Sequence, residues 1–145
     1  MERTEVIPSI VLSGYALARI AAHDAGNEAP AAQWRVLSLL STQGGRRVGE
    51  LATASRTTQP GMTRLIGGLE RDGLVRRSPD PDDSRAIVVE ITPAGVTALT
   101  LWRSEFRDTL APRFAELDDD DWAALTRAAE ILAAHTATEP TGAAR

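Results

Sequence analysis

Cysteine is absent from the 145 residues, which removes disulfides, thiolate zinc sites, iron–sulfur clusters and thiol-based redox sensing together. Histidine is nearly absent: His23 and His135 are too few for a His-built metal centre, so neither metal nor cofactor is expected. Aromatics make up only 4%, leaving Leu, Val, Ile and Ala to fill the core. Lysine is missing too, and all 16 basic residues are Arg; no function is drawn from that bias. Met1-Glu2-Arg3-Thr4-Glu5 lacks the basic run of a signal peptide. No apolar stretch reads as approaching the roughly 20 residues a membrane helix needs. The expectation is a soluble cytoplasmic domain with no membrane partner.

What is present fits one globular domain. Hydrophobic residues reach 43% and charged residues 25%, enough for a core and against wholesale disorder. A net charge of −4 and a pI near 5.2 would ordinarily argue against nucleic acid. The total hides an asymmetry. Residues 46–79 hold seven Arg against Glu50, Glu70 and Asp72, a local balance of +4, while the rest hold nine Arg against 17 carboxylates, or −8. A phosphate-binding surface needs local positive charge and tolerates an acidic body elsewhere.

Apolar spacing of three and four predicts helices over 8–24, from Pro30 to 42, 49–55, 58–71, 93 to about 115, and from 118 onward. Pro8, Pro30 and Pro93 suit first turns, Thr57 and Thr58 suit N-caps, and Pro112 should kink its helix or end it early. Asp118 to Asp121 form an acid run better explained by a helix dipole than by a bound cation. Between the helices, 74–77 and 86–91 read as short strands. The segment 78–85, with Pro79, Pro81 and three Asp, reads as a long polar tip that forbids regular pairing. Residues 136–145 read as a flexible tail. The fold class is therefore mainly α with a small β-hairpin wing, a winged helix-turn-helix between N- and C-terminal helices.

The helix over 58–71 divides into two faces. Met62, Leu65, Ile66 and Leu69 suit burial, while Gln59, Pro60, Gly61, Thr63 and Arg64 cluster at the N-terminal end. Gln pairs bidentately with adenine and Arg with guanine, and Thr offers a hydroxyl to a base or a methyl to thymine. A helix N-terminus also favours phosphate. The plain alternative is a solvated helix end that is merely polar. Arg85, past the Pro/Asp-rich loop, suits insertion into a narrow minor groove, braced by Asp82 or Asp83; the plain alternative is a surface ion pair. Of Arg76 and Arg77, strand alternation lets only one face a given side.

Val48-Gly49-Glu50-Leu51-Ala52, Thr57 through Ile66, Leu69-Glu70-Arg71-Asp72-Gly73-Leu74-Val75-Arg76-Arg77, Asp80-Pro81-Asp82-Asp83-Ser84-Arg85-Ala86 and Ile91-Thr92-Pro93-Ala94-Gly95 together resemble the MarR family of bacterial transcription regulators. Gln33-Trp34-Arg35-Val36-Leu37 resembles its second helix, and the likeness covers roughly residues 8–135. The resemblance implies a homodimer with one winged-helix lobe per subunit over 30–92 and dimerisation helices over 6–25 and 93–135. It implies that Asp83 and Arg85 are the wing's Asp-x-Arg pair, with Ser84 in place of the usual Arg and one positive charge fewer. Ala29 stands where a Thr or Ser commonly caps the second helix. Relatives often bind a small aromatic or anionic effector between dimer body and DNA lobe. Tyr15, Trp34 and Trp102 are candidate linings, against the ordinary reading of Trp as core.

The leading expectation is a sequence-specific dimeric repressor, relieved by an effector, that binds double-stranded DNA at a pseudo-palindromic operator. Its DNA-binding residues would be Thr57, Thr58, Gln59, Pro60, Gly61, Thr63, Arg64, Arg76, Arg77, Asp83 and Arg85. The alternative is a winged-helix protein–protein interaction module without DNA function. An enzyme finds no support: no Ser/His/Asp or Cys/His arrangement, phosphate-binding Gly loop or metal-ligand spacing is present.

Overall fold

The computed structural model describes residues 1–26 and 31–137. Element order is α1 (Arg3–Asp24), α2 (Ala31–Gln43), α3 (Val48–Ala54), α4 (Gln59–Arg71), β1 (Val75–Asp80), β2 (Asp83–Ile91), α5 (Pro93–Leu110), a 3-10 turn (Ala111–Phe114) and α6 (Asp119–Thr136). The chain divides into two compact units, 1–109 and 110–145.

In the first unit, one apolar core gathers Val36, Leu37 and Leu40 of α2, Leu51 and Ala52 of α3, Met62, Ile66 and Leu69 of α4, Val75, Val89 and Leu99. Each helix contributes the stripe that its three-and-four spacing dictates, while β1 contributes only its first residue, Val75, and β2 contributes Val89. Gly73, at φ +74°, closes α4. Its N–H donates to Glu70 O and the next, Leu74 N–H, donates to Leu69 O, so a left-handed residue turns the chain from helix into strand. At the same end of the hairpin, on the second strand, Thr92 Oγ1 accepts from Gly95 N–H at 3.0 Å and donates to Gly73 O at 2.6 Å. A Cβ on Gly95 would overlap Leu74 O and press on Ile91 Cγ1 at 2.7 Å. The Ile91-Thr92-Pro93-Ala94-Gly95 segment thus locks the start of α5 onto the hairpin base.

Three expectations are corrected. First, α1 starts at Arg3 and carries Pro8 inside it, because a proline this close to the N-terminus forfeits only one early hydrogen bond. The helix then reaches 22 residues, with a window of mean hydropathy 1.3. By length and composition it is long and apolar enough to cross a membrane, contrary to the reading of the sequence. Val6, Ile7, Val11, Leu12 and Tyr15 are exposed, and Ala21 is the one buried residue among those described in α1.

Second, the hairpin turns tightly at Pro81 and Asp82 in place of a long tip. Ser78 faces Val88, Pro79 faces Ile87 and Asp80 faces Asp83 antiparallel, while the register breaks after Pro79 so that Ser84, Arg85 and Ala86 face no β1 residue, which is the irregular pairing expected of this segment. Pro79 is tolerated because β1 is an edge strand. Asp80 Oδ1 accepts the Asp82 N–H at 2.9 Å and so builds the turn that a loop reading missed. Third, α6 extends through Thr136; the rest of the expected tail lies beyond the described residues, as do Ala29 and Pro30.

In the second unit, Asp118 caps α6 by accepting from Asp121 N–H at 2.9 Å, with three further acids in the first turn. Phe114 and Trp122 rings lie 6.4 Å apart. No described residue of α6 is buried, and Trp122, Leu125 and Ile131 are exposed.

Candidate nucleic-acid interface

Two short helices and a tight turn present the N-terminal end of α4. Arg56 N–H donates to Thr53 O, and Thr57 N–H to Ala52 O, while Arg56 adopts φ +50°. Helix-turn-helix turns often place glycine in such a position, and this chain places an exposed arginine there. Thr58 then caps α4, its Oγ1 accepting from Gly61 N–H at 3.2 Å. Pro60 falls in the first turn, where its missing N–H has no intrahelical partner to lose. A Cβ on Gly61 would come within 3.0 Å of the Thr58 hydroxyl, so Gly61 first serves the cap.

Beyond the cap, α4 sorts its side chains as expected. Met62, Ile66 and Leu69 are buried, while Gln59, Thr63 and Arg64 are exposed. Thr63 Oγ1 donates to Gln59 O at 2.9 Å, which uses its one proton and leaves its oxygen able to accept. No partner for the Arg64 guanidinium occurs among the described residues.

The wing is pinned from two directions. Arg46 makes a backbone bridge to Val89, with N–H donated each way at 3.0 and 2.8 Å. Arg47 donates from Nε (3.0 Å) and Nη2 (2.7 Å) to Asp80 Oδ2. That contact, with the Asp82 N–H as the larger cause, holds the Asp80 carboxyl below its ordinary value of 3.8, and the Asp80 bond raises Arg47. Arg76 and Arg77 face opposite ways, and each finds a carboxylate: Arg76 pairs with Glu90 at 3.1 Å and Arg77 with Glu70 at 3.0 Å. The expected brace on the Arg85 guanidinium is corrected. Asp83 Oδ1 accepts the Arg85 backbone N–H at 3.0 Å, because a carboxylate two residues back reaches the amide first. Asp83, Ser84 and Arg85 are exposed, and the Arg85 guanidinium has no partner among the described residues.

The sequence reading missed Arg47 and Asp80, which lie 33 residues apart, and missed Arg56. A helix start without Ser, Thr, Asp or Asn at Arg47 was the only sequence hint of the first pair.

A separate cavity of about 280 Å³ lies among Tyr15, Trp34, Arg35, Ser38, Trp102 and Phe106, so the three aromatic candidates do line one space. Trp34 and Trp102 stack at 5.0 Å and 13°, and Phe106 lies 5.2 Å from Trp102. Arg35 is the charged residue of the lining, and Ser38 Oγ accepts from Arg103 at 3.2 Å. Trp34 also packs against the core, with Nε1 buried and unpartnered among the described residues.

A family model described as MarR family matches residues 30–87. An uncharacterised HTH-type transcriptional regulator of Mycobacterium bovis is 32% identical, over 70% of this chain and 71% of its own. The HTH-type transcriptional repressor IacR of Pseudomonas putida is 27% identical, over 69% of this chain and 60% of its own. Among solved structures, a MarR family protein from Bacillus stearothermophilus aligns at TM-score 0.72 and 20% identity, covering 95% of this chain and 99% of that one.

Proposed function

The chain belongs to the MarR family of transcription regulators, and from that membership we propose a cytoplasmic, homodimeric repressor that reads a pseudo-palindromic operator and is released by a small aromatic or anionic effector. DNA-binding regulation follows from the family, which sets aside both an enzyme and an interaction module without DNA. The observation that carries the finer reading is the capped start of α4. There Gln59, Thr63 and Arg64 stand exposed in the order suited to base edges, while the Arg85 guanidinium is free of intramolecular partners.

Thr57, Thr58, Pro60 and Gly61 set the approach of the helix end to phosphate, Arg64 and Gln59 read bases, and Arg85 enters the minor groove. Arg76 and Arg77 contribute to phosphate contact only by exchanging Glu90 and Glu70 for DNA. Asp83 orients the wing through the Arg85 amide. The exposed apolar residues of α1, and separately those of α6, are assigned to contacts between two copies rather than to lipid, since apolar patches of this kind mark interfaces. Repression is favoured by two relatives named repressors, against one named an activatory protein. An effector is favoured by the cavity at Tyr15, Trp34 and Trp102: stacked rings suit a flat molecule, and Arg35 suits an anionic one.

Footprinting purified protein on the DNA that flanks its own coding region tests this reading. Protection of two half-sites about one helical turn apart is expected; absence of protection on any duplex at low salt contradicts it.

A further inference from the structure

Resting on the DNA-binding reading above, we propose that Arg47 and Asp80 form a latch that fixes the wing to α3, so that Arg47 serves operator binding as a positioning residue and not as a phosphate ligand.

Arg47 occupies the N-cap of α3 in extended conformation and makes no side-chain cap hydrogen bond, at a position where Ser, Thr, Asp or Asn would satisfy a free N–H. Its guanidinium turns instead to Asp80, donating two hydrogen bonds to one oxygen at 3.0 and 2.7 Å. The other oxygen of Asp80 accepts the Asp82 N–H at 2.9 Å. One carboxylate therefore ties down the end of β1 and shapes the turn that leads into Asp83 and Arg85. A lone two-stranded hairpin is marginal in water, and the backbone bridge from Arg46 holds it only at Val89, facing Arg77 in register. The latch acts at Asp80, beside the turn. It also neutralises one of three tip carboxylates, Asp80, Asp82 and Asp83, that would otherwise repel phosphate.

The carboxyl of Asp80 is held below its ordinary value by the Asp82 amide and by Arg47, so the pair stays charged throughout the neutral range. An arginine committed in this way adds nothing to the count of phosphates engaged.

The test uses full-length Arg47→Ala, Arg47→Lys, Asp80→Ala and the double alanine variant, each checked by thermal melt. Amide exchange is followed by NMR without DNA. Affinity is measured from low to moderate salt on a duplex that the wild-type protein recovers from a random-sequence pool. In Arg47→Ala, exchange at the Asp82 and Arg85 amides should quicken severalfold. Affinity should fall about tenfold with an unchanged salt slope, and Arg47→Lys should recover part of the loss. The double variant should bind no worse than Asp80→Ala.

Unchanged exchange overturns the latch. A salt slope smaller by about 0.9 in Arg47→Ala, or a double variant weaker than Asp80→Ala by the full Arg47→Ala factor, makes Arg47 a phosphate ligand and overturns the positioning role. A wild-type protein that recovers no duplex overturns the DNA-binding reading itself and the consequence for affinity, while exchange still judges the latch.

Discussion

Eight arginines run from Arg46 to Arg85, and they are not equivalent. Arg46, Arg47, Arg76 and Arg77 pair with Glu50, Asp80, Glu90 and Glu70. Among the described residues, Arg56, Arg64, Arg71 and Arg85 have no such partner. Half of the positive charge counted from sequence is therefore internal scaffolding, and the phosphate contacts fall to fewer side chains than the count implied. Arg85→Ala should weaken binding to all duplexes alike and lower the salt slope by about one unit, read by titrating salt in mobility shifts. Gln59→Ala and Arg64→Ala should instead relax preference at single base pairs, each by about 1–3 kcal/mol, read on a panel of operator variants. Uniform loss across that panel would move these two residues from base reading to backbone contact.

At the scale of elements, caps carry the placement. Thr58 is the side-chain cap of α4, so Thr58→Ala should cost about 1 kcal/mol in denaturant unfolding and also blur operator preference by loosening the first turn. Gly95→Ala should cost more, about 3 kcal/mol, because the added methyl meets backbone at Leu74 that cannot swing aside.

The wing has a defined pH response. Asp80 is depressed below 3.8, so its contribution is whole above the ordinary carboxylate value and is lost only as pH falls through the depressed one. Wing amide exchange should therefore show no step between pH 8 and 5 beyond the intrinsic rate. A step within that window would exclude the Asp80 pair as the tie.

Much of this level was legible in the sequence. Spacing, caps and prolines placed α2, α3, α4 and the start of α6 within about a residue; α5 ends at Leu110, before about 115, as Pro112 foretold; the two faces of α4 followed from Met62, Ile66 and Leu69. The start of α1 was not legible, because proline tolerance depends on how far into the helix it falls. Nor was the tight wing turn, where Asp80 and Asp83 accept backbone N–H groups in a segment whose composition reads as a long polar tip. Ion pairs such as Arg47–Asp80 depend on tertiary proximity, to which sequence spacing is blind.

For the whole molecule, the acidic balance outside residues 46–79 and the exposed apolar residues of α1 and α6 belong to one account. Val6, Ile7, Val11 and Leu12 are exposed on α1, and separately Trp122, Leu125 and Ile131 on α6, so each helix by itself has apolar area available for a second copy. The aromatic cavity supplies a reporter. Trp34 and Trp102 should lose fluorescence on titration with planar aromatic carboxylates, and Arg35→Ala should weaken that response without removing it. No change in emission with any such compound would separate the cavity from effector binding.

If two copies together read one duplex, sedimentation of the protein with a footprinted operator fragment will show it. Two chains per duplex, already paired at micromolar concentration without DNA and without detergent, and released steeply as salt rises, is the result expected. A monomer that stays off the fragment, or a complex indifferent to salt, would contradict it.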